Sequence, residues 1–393
     1  MTTAPRIDER KRSKPDSFVS NLVHNPRRLF LRRALFQAHL WSGIFLTIYV
    51  IVIAITGAIL VFEDEFTAMT LPSTLNPYDP ARIAPISAVM HAFETACPGC
   101  NATNLETPSR SVPAYQILAV GPDHRELHLI ADPLTAAISI QSRTWVEWVH
   151  DLHVNLLLGN AYGVQINGIG AVVLLVLTIT GLILWWPGLK SWSRGLKLSF
   201  RHNWRRINFD AHNAIGFWTL LIVFWWSISG IYFAWYRQVV AAVSLVSPLQ
   251  GMHSPDLPTL GQHPGVRVSV ESIVAAAQHA SPSGHLFSIS DPSLNSPVTY
   301  VLMDLRAPGD FSHRDIVTVD TATARILTVW HYGQNVTFGD WIIWSMHPLH
   351  FGTLWGLPIK ILWFLIGLSL AVLSVTGLLM YWNRYLRHRL QRQ

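Results

Sequence analysis

Residues 34–62 read ALFQAHLWSGIFLTIYVIVIAITGAILVF, and no charged side chain interrupts this apolar run. Three further runs, at 164–186, 214–236 and 358–382, are apolar over a similar length. A helix of about 20 apolar residues crosses a bilayer, so each run predicts one membrane-spanning helix. The sequence therefore predicts a membrane protein with an α-helical bundle of four transmembrane segments.

The composition favours a membrane protein over a soluble enzyme. Of the 393 residues, 50% are hydrophobic and 13% are charged, whereas about 25% are charged in an average soluble domain. The 18 histidines and 17 tryptophans are the other unusual feature. Because lipid-facing helices have no intrinsic need for imidazoles, we expect the function to lie with the histidines.

The basic residues predict how the chain crosses the membrane. Nineteen of the 29 Lys and Arg residues lie in the segments 1–33, 187–206 and 383–393, and the positive-inside rule makes these segments cytoplasmic. The predicted order begins with the cytoplasmic segment 1–33, the first span at 34–62 and an outer domain at 63–148. The second span with its periplasmic extension follows at 149–186, then the cytoplasmic loop 187–206 and the third span at 207–236. The second outer domain at 237–340, the fourth span with its periplasmic extension at 341–382 and the cytoplasmic tail 383–393 complete the order. Basic residues that hug the membrane ends do not predict nucleic-acid binding.

The first spanning helix of each half of the chain repeats one pattern. Both helices read His-x3-Gly-x13-Gly, with His39 and Gly57 in the first half and His212 and Gly230 in the second. A Thr or a Ser stands directly before the last glycine of each. The identical spacing predicts an internal duplication.

The second spanning helix of each half follows a pair of histidines and ends in a Thr-Gly step. The corresponding residues are His150, His153 and Gly181 in the first half and His347, His350 and Gly377 in the second. Between the spans, residues 86–96 and 270–280 predict short helices that precede strand-like stretches. Each half is therefore predicted to carry one small α+β domain on the outer side of the membrane, in a parallel repeat.

The histidines fall into two predicted layers, one near each membrane face. His39 and His212 lie in the first turns of helices that start in the cytoplasm, and the other two pairs lie at the start of helices that run inward from outside. An ionisable side chain at membrane depth is costly and indicates a functional site. Two imidazoles from facing helices can fill the axial positions of a haem iron. The C-x-x-C-H attachment motif is absent, so any haem here is non-covalent.

Four outer histidines compete for two axial positions. Pro348 favours the first turn of a helix, which places His350 and its repeat mate His153 on ordered turns that face inward, and we prefer these two as ligands. His150 and His347 lie one turn earlier on the same face. They are partners of the ligands, a gate to the outside or the ligands themselves.

The glycines at the repeated positions predict space for a flat cofactor. The 18 residues from His39 to Gly57 cover roughly 27 Å of helix at 1.5 Å per residue, which is the distance from one histidine layer to the other. A helix that offers a histidine ligand at one layer therefore has a glycine, with no side chain, at the other layer. Gly230, Gly181 and Gly377 fit the same pattern. The alternative is that small residues at such spacings serve helix packing alone.

The remaining histidines and the two cysteines are given structural interpretations. We expect interfacial or hydrogen-bonded roles for His24, His202, His331 and His388, and solvated positions for His91, His124, His128, His253, His263, His279, His285 and His313. Cys97 and Cys100 predict a short disulfide or, less in keeping with their surroundings, a redox pair. No H-E-x-x-H zinc motif occurs, and the four apolar runs 34–62, 164–186, 214–236 and 358–382 lack the carboxylates expected of an ion-coupled transporter.

Four motifs carry a resemblance to a known family. They are His39-Leu-Trp-x-Gly43 with Thr56-Gly57, Asp151-Leu-His153 before Leu182-x3-Trp186-Pro187, Asp210-x-His212-x3-Gly216-Phe-Trp, and Leu349-His350-x-Gly352 with Gly356-Leu-Pro358. As a set they resemble the PepSY-associated transmembrane-helix family of bacterial inner-membrane, iron-regulated proteins. The resemblance covers roughly residues 30–385 and implies that the two outer domains are PepSY-like.

The resemblance also implies a function. Characterised members look like cytochrome-type reductases that carry two b-type haems and reduce ferric iron held by hydroxamate siderophores such as ferrioxamine on the periplasmic side. Carried over to this sequence, His39 and His212 hold the cytoplasmic-side haem, and the four outer histidines supply the periplasmic-side ligands. The implied partners are the ferric siderophore and a cytoplasmic or membrane electron donor that the sequence does not identify.

Two other functions remain compatible with these residues. One is a haem or siderophore transport or partner-binding module without reductase activity. The other is quinol or dithiol oxidoreduction that feeds a different periplasmic acceptor. The expected location is the bacterial inner membrane in each case, with both termini in the cytoplasm.

Overall fold

The computed structural model describes residues 30–186, 193, 195–250, 267–305 and 313–386. In chain order the elements are α1 (Phe30–Leu60), α2 (Glu63–Thr70), α3 (Ile86–Ala96), β1 (Asn101–Glu106), β2 (Tyr115–Val120), β3 (Glu126–Ala131), β4 (Ile138–Gln141), α4 (Trp145–Asn155), α5 (Gly159–Trp185), α6 (Trp204–Ala234), α7 (Tyr236–Val246), α8 (Val270–Ala280), β5 (His285–Ser290), β6 (Val298–Asp304), β7 (Arg314–Asp320), β8 (Ile326–Trp330), α9 (Phe338–Phe351) and α10 (Leu357–Tyr381), followed by a π-helical turn at Trp382–Leu386. His24, His253, His263 and His388 lie outside the described residues.

Four helices, α1, α5, α6 and α10, are long and apolar enough to cross a membrane. Each overlaps one of the predicted runs, although α6 begins earlier than its run and so includes Asp210. Large apolar side chains such as Phe45 and Leu221 are 91% and 80% exposed on these helices, as expected of surfaces that face lipid. The chain is therefore a multi-pass membrane protein.

The chain forms two compact units, which we name by their main content. The helical unit comprises Met1–Ile51, Val172–Ser227 and Ser369–Gln393, and the sheet unit comprises Val52–Ala171 and Ile228–Leu368. Each of the four long helices contributes residues to both units. His39 and His212 belong to the helical unit, and the four outer histidines belong to the sheet unit.

The eight strands described in the sheet unit form one antiparallel sheet in the order β4-β3-β2-β1-β5-β6-β7-β8. The sequence predicts two small α+β domains, and the strands of the two are continuous in the structure. Strands β1 and β5 join the halves, with Leu105 opposite Ile289. The hydroxyl of Ser293 accepts a hydrogen bond from the Ala102 amide at 2.9 Å beside this junction.

Helices α3 and α8 cover one face of the sheet because each carries an apolar stripe. In α3 the buried residues Ile86, Val89, Met90 and Phe93 follow the i, i+3, i+4, i+7 spacing of a single helix face. They pack with alternate strand residues such as Leu105 in one continuous core. Cys97 and Cys100 form a disulfide against this core, which agrees with the structural interpretation of the pair.

The sheet unit shows the predicted duplication in detail. Each half contains one helix followed by four strands, and α3 and α8 have the predicted bounds. The register shifts at the same place in both halves, after Ala102 in β1 and after Leu286 in β5. The turns that follow β3 and β7 both contain an alanine with positive φ, Ala136 at 59° and Ala324 at 57°.

The helices that carry the outer histidines are separate from the spanning helices, which differs from the sequence-based prediction. Helix α4 ends at Asn155 because Leu156 adopts a left-handed backbone with φ 54°. Helix α9 ends before Gly352, with φ 70°, where a side chain would collide with Trp363. Pro348 lies in the last turns of α9, so its predicted place in a first helical turn is wrong.

Candidate functional site

In the helical unit, both predicted ligand histidines contact a hydroxyl of their own half. The Nδ1 atom of His39 lies 3.0 Å from Oγ1 of Thr180. The Nδ1 atom of His212 lies 2.9 Å from Oγ1 of Thr376. Asn208 supports the second contact, because its side-chain amide donates to the carbonyl oxygen of Thr376 at 3.0 Å. The two halves thus build the same arrangement independently.

The sheet unit repeats the arrangement with two of the four outer histidines. The Nδ1 atom of His153 lies 3.0 Å from Oγ1 of Thr56, and Nδ1 of His350 lies 2.7 Å from Oγ of Ser229. Each hydroxyl again belongs to the same half of the chain as its histidine. In all four cases the contact uses Nδ1, so Nε2 lies on the other side of the ring.

The glycine that follows each hydroxyl explains how the rings fit. A Cβ atom at Gly57 would lie 2.7 Å from Cε1 of His153, one at Gly181 would lie 3.3 Å from Cε1 of His39, and one at Gly377 would lie 3.4 Å from Cε1 of His212. At Gly230 the neighbour is instead the Cβ of Ala171, at 3.0 Å. Three of the four glycines therefore lie against an imidazole, and their predicted contact with a cofactor stays a prediction.

His39 and His212 line a single cavity of about 1620 Å³ in the helical unit. This volume exceeds the ~300–1,000 Å³ of most small-ligand pockets. The lining includes Gly181 and Gly377, apolar side chains of all four long helices, and a group of arginines at Arg32, Arg33, Arg205, Arg206 and Arg384. Two imidazoles in an apolar cavity with basic groups fit a non-covalent haem, whose periphery is apolar except for two carboxylates.

The rings of His153 and His350 lie close together in the sheet unit, in an edge-on arrangement. Their centroids are 6.4 Å apart and their planes are inclined by 61°. Imidazole nitrogens bind metal ions at about 2.0–2.1 Å, which puts the centroids of two rings on opposite sides of an ion roughly 6 Å apart. Burial lowers the pKa of His153 to about 4 and that of His350 to about 3, so both are neutral at pH 7. These residues fit an axial ligand pair.

His150 and His347 have different surroundings. The side chain of His150 is 46% exposed, and its Nδ1 lies 3.6 Å from Oδ1 of Asp151. His347 stacks on Phe351 with ring centroids 5.4 Å apart and meets the edge of Phe233 at 4.9 Å. Phe233 also contacts the ring of His350 at 5.1 Å. The structure thus brings His153 and His350 together and leaves the other two at the margin of the pair.

The sequence does not predict a group of interacting ionisable side chains in the sheet unit. The guanidinium of Arg314 lies 3.3 Å from the ring centroid of Phe287 and interacts electrostatically with Asp64 and Glu106. Burial raises the pKa of Glu63 to about 7, with Asp64 and Glu106 adding to the effect. The acidic triplet Glu63-Asp64-Glu65 after the first span is visible in the sequence, but its basic partners Lys360 and Arg314 come from the other half of the chain.

Among the other histidines that the structure describes, His331 matches its structural interpretation and His128 does not. The Nδ1 atom of His331 lies 2.8 Å from Oδ2 of Asp315. His128, predicted to be solvated, pairs with Glu147 at 3.0 Å. Among the described residues, no cluster of three or more His, Cys, Asp or Glu side chains could hold a metal ion by itself. A metal at either pair therefore needs ligands from another group, as in a porphyrin.

The fold and the paired imidazoles define a membrane protein with two repeated halves joined by a common sheet. The sequence pattern of the PepSY-associated TM region matches residues 36–384. Because the match covers most of the chain, the protein belongs to the PepSY-associated transmembrane family. No protein with a curated description matches the chain.

Proposed function

We propose that the chain is a reductase of the bacterial inner membrane that binds two b-type haems and passes electrons to a ferric siderophore in the periplasm. His39 and His212 hold one haem, and His153 and His350 hold the other. The observation that carries this proposal is the repeated setting of four imidazoles in two pairs, each imidazole with its Nδ1 on a hydroxyl. When bound, a bis-imidazole haem supplies a one-electron couple.

The chain's own residues provide the conditions that such a couple needs. Apolar side chains of the four long helices form much of the lining of the cavity around His39 and His212. The arginines at this cavity supply positive charge for the carboxylates of a porphyrin. In the sheet unit, Phe233 contacts the rings of both His350 and His347. Packed aromatic rings therefore extend from the ligand pair to His347.

The chemistry of the substrate explains why one electron is enough. Hydroxamate oxygens are hard ligands that hold Fe(III) tightly and Fe(II) weakly, in line with the preference of hard ions for oxygen. Reduction of the bound Fe(III) to Fe(II) therefore releases the iron, and the protein need supply no acid or base. The electron comes from a cytoplasmic or membrane donor, and the hydroxamate siderophore is the acceptor.

The first test is a dithionite-reduced minus air-oxidised visible spectrum of the purified protein, with a pyridine haemochrome count. We expect two b-type haems per chain and their reoxidation when a ferric hydroxamate such as ferrioxamine is added. His39→Ala and His212→Ala should each lose one haem, and His153→Ala and His350→Ala the other. The exposed His285 provides the control, because His285→Ala should keep both haems.

The results separate the proposal from its alternatives. If the wild-type protein contains no stoichiometric haem, both the assignment of the histidines as haem ligands and the proposed reductase function are contradicted. Loose, substoichiometric haem that is not reoxidised by the chelate favours a haem or siderophore carrier without reductase activity. Two tight haems that react with a quinone or dithiol but not with the chelate favour a different acceptor.

The outer ligands need a second comparison. We expect His150→Ala and His347→Ala to keep two haems per chain, because the exposed His150 and the stacked His347 lie outside the pair of His153 and His350. The measurement is the same haemochrome count, made beside His153→Ala and His350→Ala. If His150→Ala loses one haem and His153→Ala retains both, His150 is the ligand in place of His153.

A further inference from the structure

Three of the four hydroxyls that contact the imidazoles, those of the threonines, already donate their protons elsewhere. Thr56 Oγ1 lies 2.7 Å from the Val52 carbonyl oxygen, Thr180 Oγ1 lies 2.6 Å from that of Val176, and Thr376 Oγ1 lies 2.9 Å from that of Leu373. These are bonds of each threonine to its own helix. A hydroxyl has one proton to donate and lone pairs to accept with. Towards the imidazole it can therefore act only as an acceptor.

This assignment fixes which ring nitrogen carries the hydrogen. If the hydroxyl accepts, Nδ1 of the histidine must be the donor. A neutral imidazole carries a single N–H, so its Nε2 then has a free lone pair. The other tautomer, with hydrogen on Nε2, would place two acceptors against each other at about 3 Å. The hydrogen-bond geometry thus selects the tautomer in which Nε2 is able to bind a metal.

We infer that Thr56, Thr180 and Thr376 are positioning residues that hold their histidines in the Nδ1–H form and keep each ring in a fixed orientation, and that Ser229, at the equivalent position of the repeat and 2.7 Å from Nδ1 of His350, does the same. The inference rests on the proposed function, because it names the residues that prepare the haem ligands. A ligating histidine that donates its other N–H is more basic and is held in place. The chain supplies this partner four times, from four different helices.

The sequence of the four sites shows which group matters. Three of the hydroxyls belong to threonine and one to serine, so the methyl group is dispensable and the oxygen is common to all. The β-branched threonine side chain is stiff at χ1, and its bond to the preceding helical turn fixes the oxygen further. The next residue is a glycine in every case, which lets the helix backbone approach its neighbour closely.

The test compares valine and serine at two of the sites. Thr56→Val keeps the shape of the side chain and removes the acceptor for His153, whereas Thr56→Ser keeps the acceptor. Thr376→Val and Thr376→Ser make the same comparison for His212. Thr47→Val is the matched control in α1, because the buried Thr47 hydroxyl donates to the Gly43 carbonyl at 2.7 Å and lies at neither proposed ligand pair.

The readouts are the midpoint potential of each haem and the rate at which haem is lost to apomyoglobin. We expect each valine variant to favour Fe(II) at one haem by about tenfold, which is 59 mV for one electron, because its ligand becomes less basic. Haem affinity at that site should fall by about 10–100-fold. The serine variants and Thr47→Val should keep the wild-type values.

Three outcomes overturn the inference. Valine variants with wild-type potentials and haem retention show that the hydroxyls do not act on the ligands. Valine and serine variants that change equally show that side-chain shape, not the acceptor, is responsible. Wild-type protein without stoichiometric haem overturns the proposed function and this inference together, and that result is known from the wild type before any variant is made. If Thr56→Val does not fold, the Thr376 variants decide.

Discussion

At the scale of single residues, the site is built from a two-residue unit. The unit is a Thr or Ser and the glycine that follows it on a helix. In three of the four units, one imidazole ring contacts both the hydroxyl oxygen and the glycine. In the unit of Thr56 and Gly57 the oxygen meets Nδ1 of His153, while the missing side chain of Gly57 leaves room for Cε1 of the same ring. The unit thus sets both the direction and the position of a ring.

The glycine half of this unit gives a testable consequence. Gly57→Ala would place a Cβ 2.7 Å from Cε1 of His153, so the ring must move away from its seat. We expect loss of the haem held by His153 and His350, measured by the haemochrome count. Gly43→Ala is the control on the same helix, because its Cβ would lie 3.8 Å from Leu177, an ordinary contact.

The two alanine variants should also differ from simple helix effects. Replacing glycine by alanine inside a helix normally stabilises it by about 0.5–1 kcal/mol, so Gly43→Ala should keep the haem proposed at His153 and His350 and unfold no earlier than the wild type. If Gly57→Ala retains two haems with wild-type spectra, the claim that Gly57 makes room for the His153 ring is contradicted. Equal haem loss in both variants indicates a general intolerance of α1 to side chains.

At the scale of elements, equivalent devices set the ends of α4 and α9. Each begins with a capping box, formed by Thr144 with Glu147 in α4 and by Thr337 with Asp340 in α9. Each ends at a residue with a left-handed backbone, Leu156 or Gly352. The histidines near the C-terminal ends of these short helices are therefore positioned from both sides.

The sequence predicted local elements well because their signals are local. The apolar spacing in 86–96 and 270–280 gives α3 and α8 with correct bounds, since the 3.6-residue period lies within each stretch. The sequence does not predict that α4 ends at Asn155, because the left-handed residue Leu156 that follows is a leucine and carries no turn signal. The contact of Thr56 with His153 and the joining of β1 to β5 are also not predicted, because both connect residues far apart in the chain.

Asp132, in the turn after β3, is a carboxylate outside the spans that accepts several hydrogen bonds. Asp132 accepts hydrogen bonds from the amides of Asn76 at 2.7 Å and of Leu134 and Thr135 at 2.9 Å. Burial alone would raise the pKa of Asp132, but these bonds outweigh it and hold the pKa below its usual value. The folded state therefore favours the ionised carboxylate.

Asp132→Asn should destabilise the sheet unit. Hydrogen bonds to a charged acceptor contribute about 1.5–3 kcal/mol, so we expect a lower thermal unfolding midpoint at pH 7. Because the folded pKa is lowered, the wild-type advantage is present above the ordinary pKa near 3.8 and shrinks as the pH falls below it. Asp123→Asn, at an exposed turn, is the control. Equal midpoints for the two variants at pH 7 contradict this account.

At the scale of the whole molecule, each half of the duplication supplies only part of each proposed haem site and part of the sheet. Each proposed haem takes one histidine from each half, while each histidine receives its hydroxyl from its own half. A single half therefore holds correctly oriented ligands but only one per haem. It also leaves β1 or β5 as an unpaired sheet edge, which is prone to non-specific pairing. The two halves complete each other at the ligands and at the sheet.

This division predicts how the chain behaves when it is split in the loop between α5 and α6. Fragments 1–199 and 200–393, expressed together with a tag on one, should copurify, because β1 and β5 pair and the ligand pairs form. We expect two b-type haems per pair of fragments by pyridine haemochrome. Either fragment alone should contain no stoichiometric haem, since each offers one imidazole to each site. A single fragment that binds haem tightly would place both axial ligands in one half and contradict the paired arrangement.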